Sequence, residues 1–194
     1  MGFVRELLRD DPTLAFARDG QGLTPLHWAT MRGQRAIAQL LLKRGADPNA
    51  ADRNGETPLH HVGRPVFWGA RSDLEDLLLR HGADVHAVNA RGATPLHHAT
   101  WWERPELVDT LIRHGADVNA RDADGWTPLD HAVYRYEELK VRLGNIWDEK
   151  FDRRWRAGAL AVWNHGGRSG SEIERVIEKA HADGMAHARR PGGA

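Results

Sequence analysis

A four-residue phrase, Thr-Pro-Leu-His or Thr-Pro-Leu-Asp, recurs four times in this chain, at residues 24–27, 57–60, 94–97 and 127–130. The spacings are 33, 37 and 33 residues. A glycine stands two residues before each copy (Gly22, Gly55, Gly92, Gly125), and the first three copies are followed by Gly45-Ala46-Asp47, Gly82-Ala83-Asp84 and Gly115-Ala116-Asp117. A unit of this length cannot bury its own apolar face, so such a chain is stable only as a stack of units.

Each unit reads in the same physical order. Asp19-Gly20-Gln21-Gly22 and its counterparts form a turn in which glycine tolerates a positive backbone angle. Thr24 stands where it can cap a first helix, and Pro25 occupies the first helical position, where a missing N–H costs nothing. Leu26 and Ala29 bury one face of that helix. A second helix, Ala36 to Lys43, ends at the C-cap glycine Gly45. Leu40-Leu41-Leu42, Leu77-Leu78-Leu79 and Leu111-Ile112 must pack between units.

The phrase, its glycine and the period resemble the ankyrin-repeat family, closely over residues 3–133 and loosely over 134–167. The resemblance implies an all-α solenoid of stacked helix-turn-helix repeats with β-turn fingers and a helical C-terminal cap. A single domain of residues 1–188 is expected: an N-terminal half repeat (3–18) in which Val4, Leu7, Leu8 and Leu14 have helical spacing, full repeats at 19–51, 52–88 and 89–121, and a last repeat at 122–167. A capping helix within 168–188, opened by Ser171 with Glu174 three residues on, closes the stack, and residues 189–194 form a disordered tail.

Two departures interrupt the pattern. The second full repeat carries four extra residues within His61 to Ala70, and the last carries about eighteen between its phrase and its terminal glycine at Gly166-Gly167. Both lie at the same end of the helix pairs, two repeats apart, so they are placed to fold toward each other over the repeat that begins at Asn89. In the larger insertion Ile146, Trp147, Phe151 and Trp155 recur at roughly helical spacing. That segment, residues 143–156, either packs against the stack or supplies one wall of a pocket.

In the family, the inner-helix residues after the Ala position and the turn residue before Thr line a concave binding surface. Carried over by register, these are Leu23, Met31 and Arg32; Glu56 and Arg64; Ala93, Trp101 and Trp102; and Trp126, Tyr134 and Arg135, with Phe67 and Trp68 contributed by the small insertion. Eight tryptophans in 194 residues is a high number, and at least four of them fall here. Trp, Tyr and Arg dominate interface hot spots, and an arginine beside a tryptophan can hold an aromatic or anionic group. Trp101 and Trp102 point about 100° apart on a helix, so they cannot both face one ligand.

Twelve histidines invite an acid–base or metal reading. The resemblance gives His27, His60 and His97 a structural role, bonding the turn of their own or an adjacent repeat, with Asp130 as the equivalent in the last repeat. His81 and His114 sit at helix ends, where a cation is favoured, and His86 and His165 read as solvated turn residues. His61, His98 and His131 follow the phrase where the family usually has an apolar residue; Trp28 fills that place in the first repeat. Stacked repeats separate such positions by a helix–helix distance of ~8–10 Å, whereas zinc needs ligands at ~2.0–2.1 Å, so no metal site is expected from this ladder. Were the chain an enzyme, His98 and His131 would be the proton-transfer candidates.

The 27 basic and 27 acidic side chains balance, so no global field recruits nucleic acid or anionic lipid. The absence of cysteine excludes disulfides and thiolate sites. No apolar run reaches the ~20 residues of a membrane span, and the first residues lack a signal-peptide core, which makes a cytoplasmic protein the expectation. No nucleotide loop, catalytic-serine elbow or metalloprotease motif is present, and no cofactor is expected. The leading expectation is a non-enzymatic recognition module that binds a protein partner in an aromatic and arginine-rich groove. The alternative is a small-molecule protein or enzyme whose Trp/His-lined pocket, enclosed by the two insertions, takes an apolar or aromatic ligand.

Overall fold

The computed structural model describes residues 2–62, 73–143 and 149–167. Helix α1 (Gly2–Asp10) and a 3-10 turn (Pro12–Phe16) precede the first phrase. Four helix pairs follow: α2 (Pro25–Met31) with α3 (Arg35–Lys43), α4 (Pro58–His61) with α5 (Leu74–Arg80), α6 (Pro95–Trp101) with α7 (Pro105–Arg113), and α8 (Pro128–Leu143) with α9 (Glu149–Asn164). The inner helices α2, α4, α6 and α8 pack one against the next, and so do the outer helices α3, α5, α7 and α9. The described residues contain no strand, and the fold is the expected all-α repeat solenoid.

The phrase places its leucine at the centre of this stack. Leu26, Leu59, Leu96 and Leu129 are buried to 0–1% exposure, each contributing about 1.5–3 kcal/mol by leaving water. Buried outer-helix leucines (Leu41, Leu78, Leu111) close the layer behind them. In α1 the apolar face turns Leu8 inward and leaves Leu7 exposed, so Leu7 is not the core residue its spacing suggested.

The turns form a second, polar ladder. Each closes with an i to i+3 bond, as in Gly55 N–H to Asp52 O at 3.0 Å and Gly92 N–H to Asn89 O at 2.9 Å. Each turn also bonds the next: Arg53 N–H reaches Gln21 O, Ala90 N–H reaches Asn54 O, and Ala123 N–H reaches Arg91 O. Because the turns lie this close, a Cβ at Gly55 or Gly92 would come within 2.9 Å of the next turn's backbone nitrogen, and both residues hold a positive φ (74° and 72°). Only glycine satisfies both constraints.

The last repeat keeps register despite its insertion. Gly166 has φ 85°, as Gly45 does (85°), close to Gly82 (87°) and Gly115 (90°). The Asn119 amide donates to Gly166 O at 3.1 Å, as the Asn49 amide donates to Gly82 O at 2.8 Å. Among the described residues the added length goes into the two helices, α8 and α9, which are 16 residues each. Trp155, from the insertion, is 3% exposed; its indole N–H donates to Ala132 O at 2.7 Å and its ring packs 4.1 Å from Tyr136. That tryptophan joins the core between α8 and α9 and does not wall a pocket. The expected capping helix and tail, and Arg64, Phe67 and Trp68, lie outside the described residues.

Candidate functional site

Two rows of side chains run along the inner helices, and they differ by one residue in the sequence. The interior row is His27, His60 and His97, all fully buried. In each, Nδ1 accepts the backbone N–H of the phrase threonine (Thr24, Thr57, Thr94) at 3.0–3.1 Å. The proton therefore sits on Nε2, which donates to the next repeat: to Glu56 O at 3.0 Å, Ala93 O at 3.1 Å and Trp126 O at 3.1 Å. Burial holds all three imidazoles below their usual range, His60 down to about 4. Asp130 repeats half of the arrangement, its Oδ2 accepting from both the N–H and the hydroxyl of Thr127 at 2.8 Å.

The second row, called the groove row for its register, comprises Trp28, His61, His98 and His131, and ranges from Trp28 at 40% exposed to His61 at 1%. Each side chain turns toward the first residue of its own repeat's turn. Trp28 Nε1 donates to Asp19 Oδ2 at 3.0 Å, and His131 Nε2 lies 2.7 Å from Asp122 Oδ2. His98 Nε2 lies 3.3 Å from Asn89 Nδ2, and His61 Nε2 lies 3.4 Å from Asp52 Oδ2. The turn carboxylates are held from behind by backbone N–H groups; Asp122 Oδ1, for example, accepts from Asp124 N–H at 3.0 Å and Trp126 N–H at 2.8 Å. Burial works against the Asp122 charge, but the bonds from His131 and Trp126 N–H outweigh it and hold the carboxyl below its usual range. The two rows interlock edge to face, with His27–His61, His60–His98 and His97–His131 ring centroids 5.1–5.4 Å apart.

At the C-terminal end the groove row meets an aromatic cluster. Trp101 stacks on Tyr134 (6.1 Å, 16°), Trp126 packs on Tyr134 at 5.1 Å, and both indoles meet the edge or face of His131 at 5.6–6.0 Å. The Arg135 guanidinium lies over Trp101 at 5.2 Å and pairs with Glu138 at 2.7 Å. Trp126 and Tyr134 remain 37% and 52% exposed. Trp102 is absent from this cluster; it is the C-cap of α6, and its indole N–H is buried with no hydrogen-bond partner among the described residues. Glu103 next to it takes φ 52°, the left-handed position that Gly33 (φ 66°) occupies in the first repeat, at a cost of about 1–2 kcal/mol for a side-chain-bearing residue.

The other expected groove residues are scattered. Leu23 and Ala93 are buried, and so do not line the surface as the resemblance implied. Arg32 lies over Trp28 at 5.3 Å, a separate cation–π pair at the N-terminal end, with Met31 half-buried beside it. Glu56 reaches two histidines of the groove row, His61 at 3.4 Å and His98 at 3.7 Å. His81, His114 and His165 each direct Nδ1 to the carbonyl four residues back, at 2.8–2.9 Å. His165 is an exposed turn residue as expected, and it also makes the same helix-end contact as the other two. The turn carboxylates Asp52 and Asp122 were missed as groove residues; the signal available was an Asp or Asn at a constant nine residues before each groove-row position (19/28, 52/61, 89/98, 122/131).

Two family models match the chain, one described as ankyrin repeats (3 copies) over residues 66–142 and one as ankyrin repeat over residues 21–53, together more than half of its length. Among curated relatives, a serine/threonine-protein kinase VIK of Arabidopsis thaliana is 52% identical over 56 residues, covering 29% of this chain and 13% of that protein. A transient receptor potential cation channel subfamily A member 1 homolog of Caenorhabditis elegans is 38% identical over 64 residues, covering 33% of this chain and 5% of the channel. The human 2-5A-dependent ribonuclease is 39% identical over 56 residues, 29% of this chain and 8% of the enzyme. The chain thus spans only a small fraction of each of these relatives. No helix among the described residues is long and apolar enough to cross a membrane.

Proposed function

Because this chain belongs to the ankyrin-repeat family, we propose that it is a non-enzymatic recognition module that binds a protein partner through the aromatic end of its concave groove. Ankyrin repeats are in general protein–protein interaction modules. The three relatives above are, by name, a kinase, a channel and a ribonuclease, and each shares only a short segment with this chain. A segment common to such different proteins fits a binding role rather than any one of those activities.

The observation that carries the reading is the Trp101–Tyr134–Trp126–His131 cluster, braced by Arg135 and Asp122 yet open at Trp126 and Tyr134. Rings already fixed by their neighbours lose little freedom on binding, which is what an interface anchor requires. The strained Glu103 follows Trp101 of this cluster by two residues in the chain, and backbone strain commonly marks function. Partners captured from cell extract by the wild-type chain, once identified and purified, are to be titrated against Trp126→Ala and Arg135→Ala. Each substitution is expected to weaken binding by roughly 30-fold, equivalent to about 2 kcal/mol. Unchanged affinity in both variants would remove this end of the groove as the site.

A further inference from the structure

The tryptophans at the two ends of the groove differ in what their polar atoms are left to do. At the N-terminal end the Trp28 indole N–H is spent on Asp19 Oδ2 at 3.0 Å. At the C-terminal end, among the described residues, the indole N–H groups of Trp101 and Trp126 and the Tyr134 hydroxyl enter no hydrogen bond. Trp126 and Tyr134 are exposed and Trp101 is half-buried. Three unspent donors therefore stand on one aromatic surface. The acceptors beside them are used up. Asp122 Oδ1 accepts from the backbone N–H groups of Asp124 and Trp126, Oδ2 lies 2.7 Å from His131 Nε2, and the side chain is only 6% exposed. The Trp126 carbonyl accepts from His97 Nε2 and Asp122 N–H.

A surface with spare donors and spent acceptors selects a ligand that brings acceptors and few donors. Resting on the recognition reading above, we propose that this surface takes a proline-rich segment of the partner in the polyproline II conformation. A proline residue has no backbone N–H to satisfy. Its carbonyl is a free acceptor, because polyproline II makes no internal hydrogen bonds. Its ring offers apolar surface to the exposed indole and phenol faces, the mode by which aromatic-lined grooves hold such segments.

Charged segments fit this surface less well. A lysine or arginine would find the Asp122 carboxylate buried and the Arg135 guanidinium already over the Trp101 ring at 5.2 Å. An acidic or phosphorylated segment would meet Asp122 and Asp124 on the turn that carries Trp126, while Arg135 is already answered by Glu138 at 2.7 Å. Order also favours the neutral ligand. The protein rings are held by one another, Trp101 on Tyr134 at 6.1 Å and Trp126 on Tyr134 at 5.1 Å, and polyproline II is extended before it binds. Little freedom is left for either side to lose on association.

The test uses the full chain with isotope-labelled tryptophans, and a capped decaproline as the probe. Capped peptides of the same length made of alternating Gly-Ser, Lys-Gly and Asp-Gly serve as comparisons. Decaproline is expected to move the indole N–H resonances of Trp101 and Trp126 saturably and to leave that of Trp28, already bonded, in place; Trp28→Phe, Trp101→Phe and Trp126→Phe assign the signals. Trp126→Phe and Tyr134→Phe keep a ring and lose a donor, and each should weaken decaproline binding about 10-fold. Circular dichroism of these variants checks that they keep the wild-type helix content. Unmoved indole signals, equal movement with the Gly-Ser peptide, tighter binding of the Lys-Gly or Asp-Gly peptide, or full affinity in both Phe variants would each overturn the proline-rich assignment. The captured partner separates the two readings. If it loses affinity in Trp126→Ala while decaproline fails to bind, the ligand class falls and the site stands. If it binds Trp126→Ala and Arg135→Ala unchanged, the site falls and this assignment falls with it.

Discussion

His60 and His61 are neighbours in the chain, yet they belong to rows with opposite physical characters. His60 spends both ring nitrogens on backbone groups of two successive repeats, and burial keeps it neutral. His61 faces two carboxylates. A rotation of about 100° along the helix separates the two environments. The comparison teaches that the interior row repeats one backbone-bonded arrangement, whereas the groove row meets different side chains from repeat to repeat. His61 meets a splayed acidic pair; His131 meets one carboxylate and an aromatic roof.

Breaking one row at a time tests the division, and the largest effect is expected inside. His60→Ala strands the buried Thr57 N–H and Ala93 carbonyl and leaves a cavity between repeats, a loss of about 4 kcal/mol. His131→Ala removes a single partly buried partner of Asp122, which keeps its two backbone donors, and should cost only about 1 kcal/mol. Urea denaturation of the two variants side by side reads the difference. Equal losses would mean that the rows do not divide as the hydrogen bonds indicate.

Acid separates the rows without mutation. The interior imidazoles have folded pKa values below 6.5, so between 6.5 and the folded value the unfolded chain binds more protons and stability falls as pH falls. For His60 that window runs from 6.5 down to about 4, and its full width corresponds to roughly 3 kcal/mol. His27 and His97 add in the same direction. The depressed carboxyl of Asp122 contributes stability that is complete above 3.8 and is lost only at lower pH. Urea midpoints between pH 7 and pH 3 should therefore fall in two stages, the first from the interior histidines. A midpoint constant from pH 7 to pH 5 would contradict a neutral buried row.

The frame of these rows was legible in the sequence because a repeat fixes which residue falls in which environment. The phrase placed the buried leucines and the interior histidines, and the likeness of the segment ending at Gly166-Gly167 to a repeat's outer helix located the terminal glycine across an insertion of about eighteen residues. The groove was less legible. The choice between Trp101 and Trp102 depends on where α6 ends, and the C-cap at Trp102 carries that ring away from Tyr134. The turn aspartates have an obvious local use, accepting the N–H groups of their own turn. That role hides the second oxygen, which looks back across nine residues to the inner helix.

The smallest predicted effect sharpens the comparison at its N-terminal end, where the groove row begins with Trp28 instead of histidine. Trp28 is 40% exposed, so its ring withdraws comparatively little surface from water. Its indole N–H to Asp19 Oδ2 is an exposed hydrogen bond, and Arg32 stacks on its outer face. Trp28→His keeps a ring N–H within the reach that His131 uses toward Asp122 and gives up mainly the cation–π contact, which at an exposed site is worth about 0.5–1 kcal/mol. The expected loss is therefore below about 1 kcal/mol, measured by the same urea titration. A loss approaching that of His60→Ala would show that the scaffold depends on the groove row as well, and that its chemistry is not free to vary between repeats.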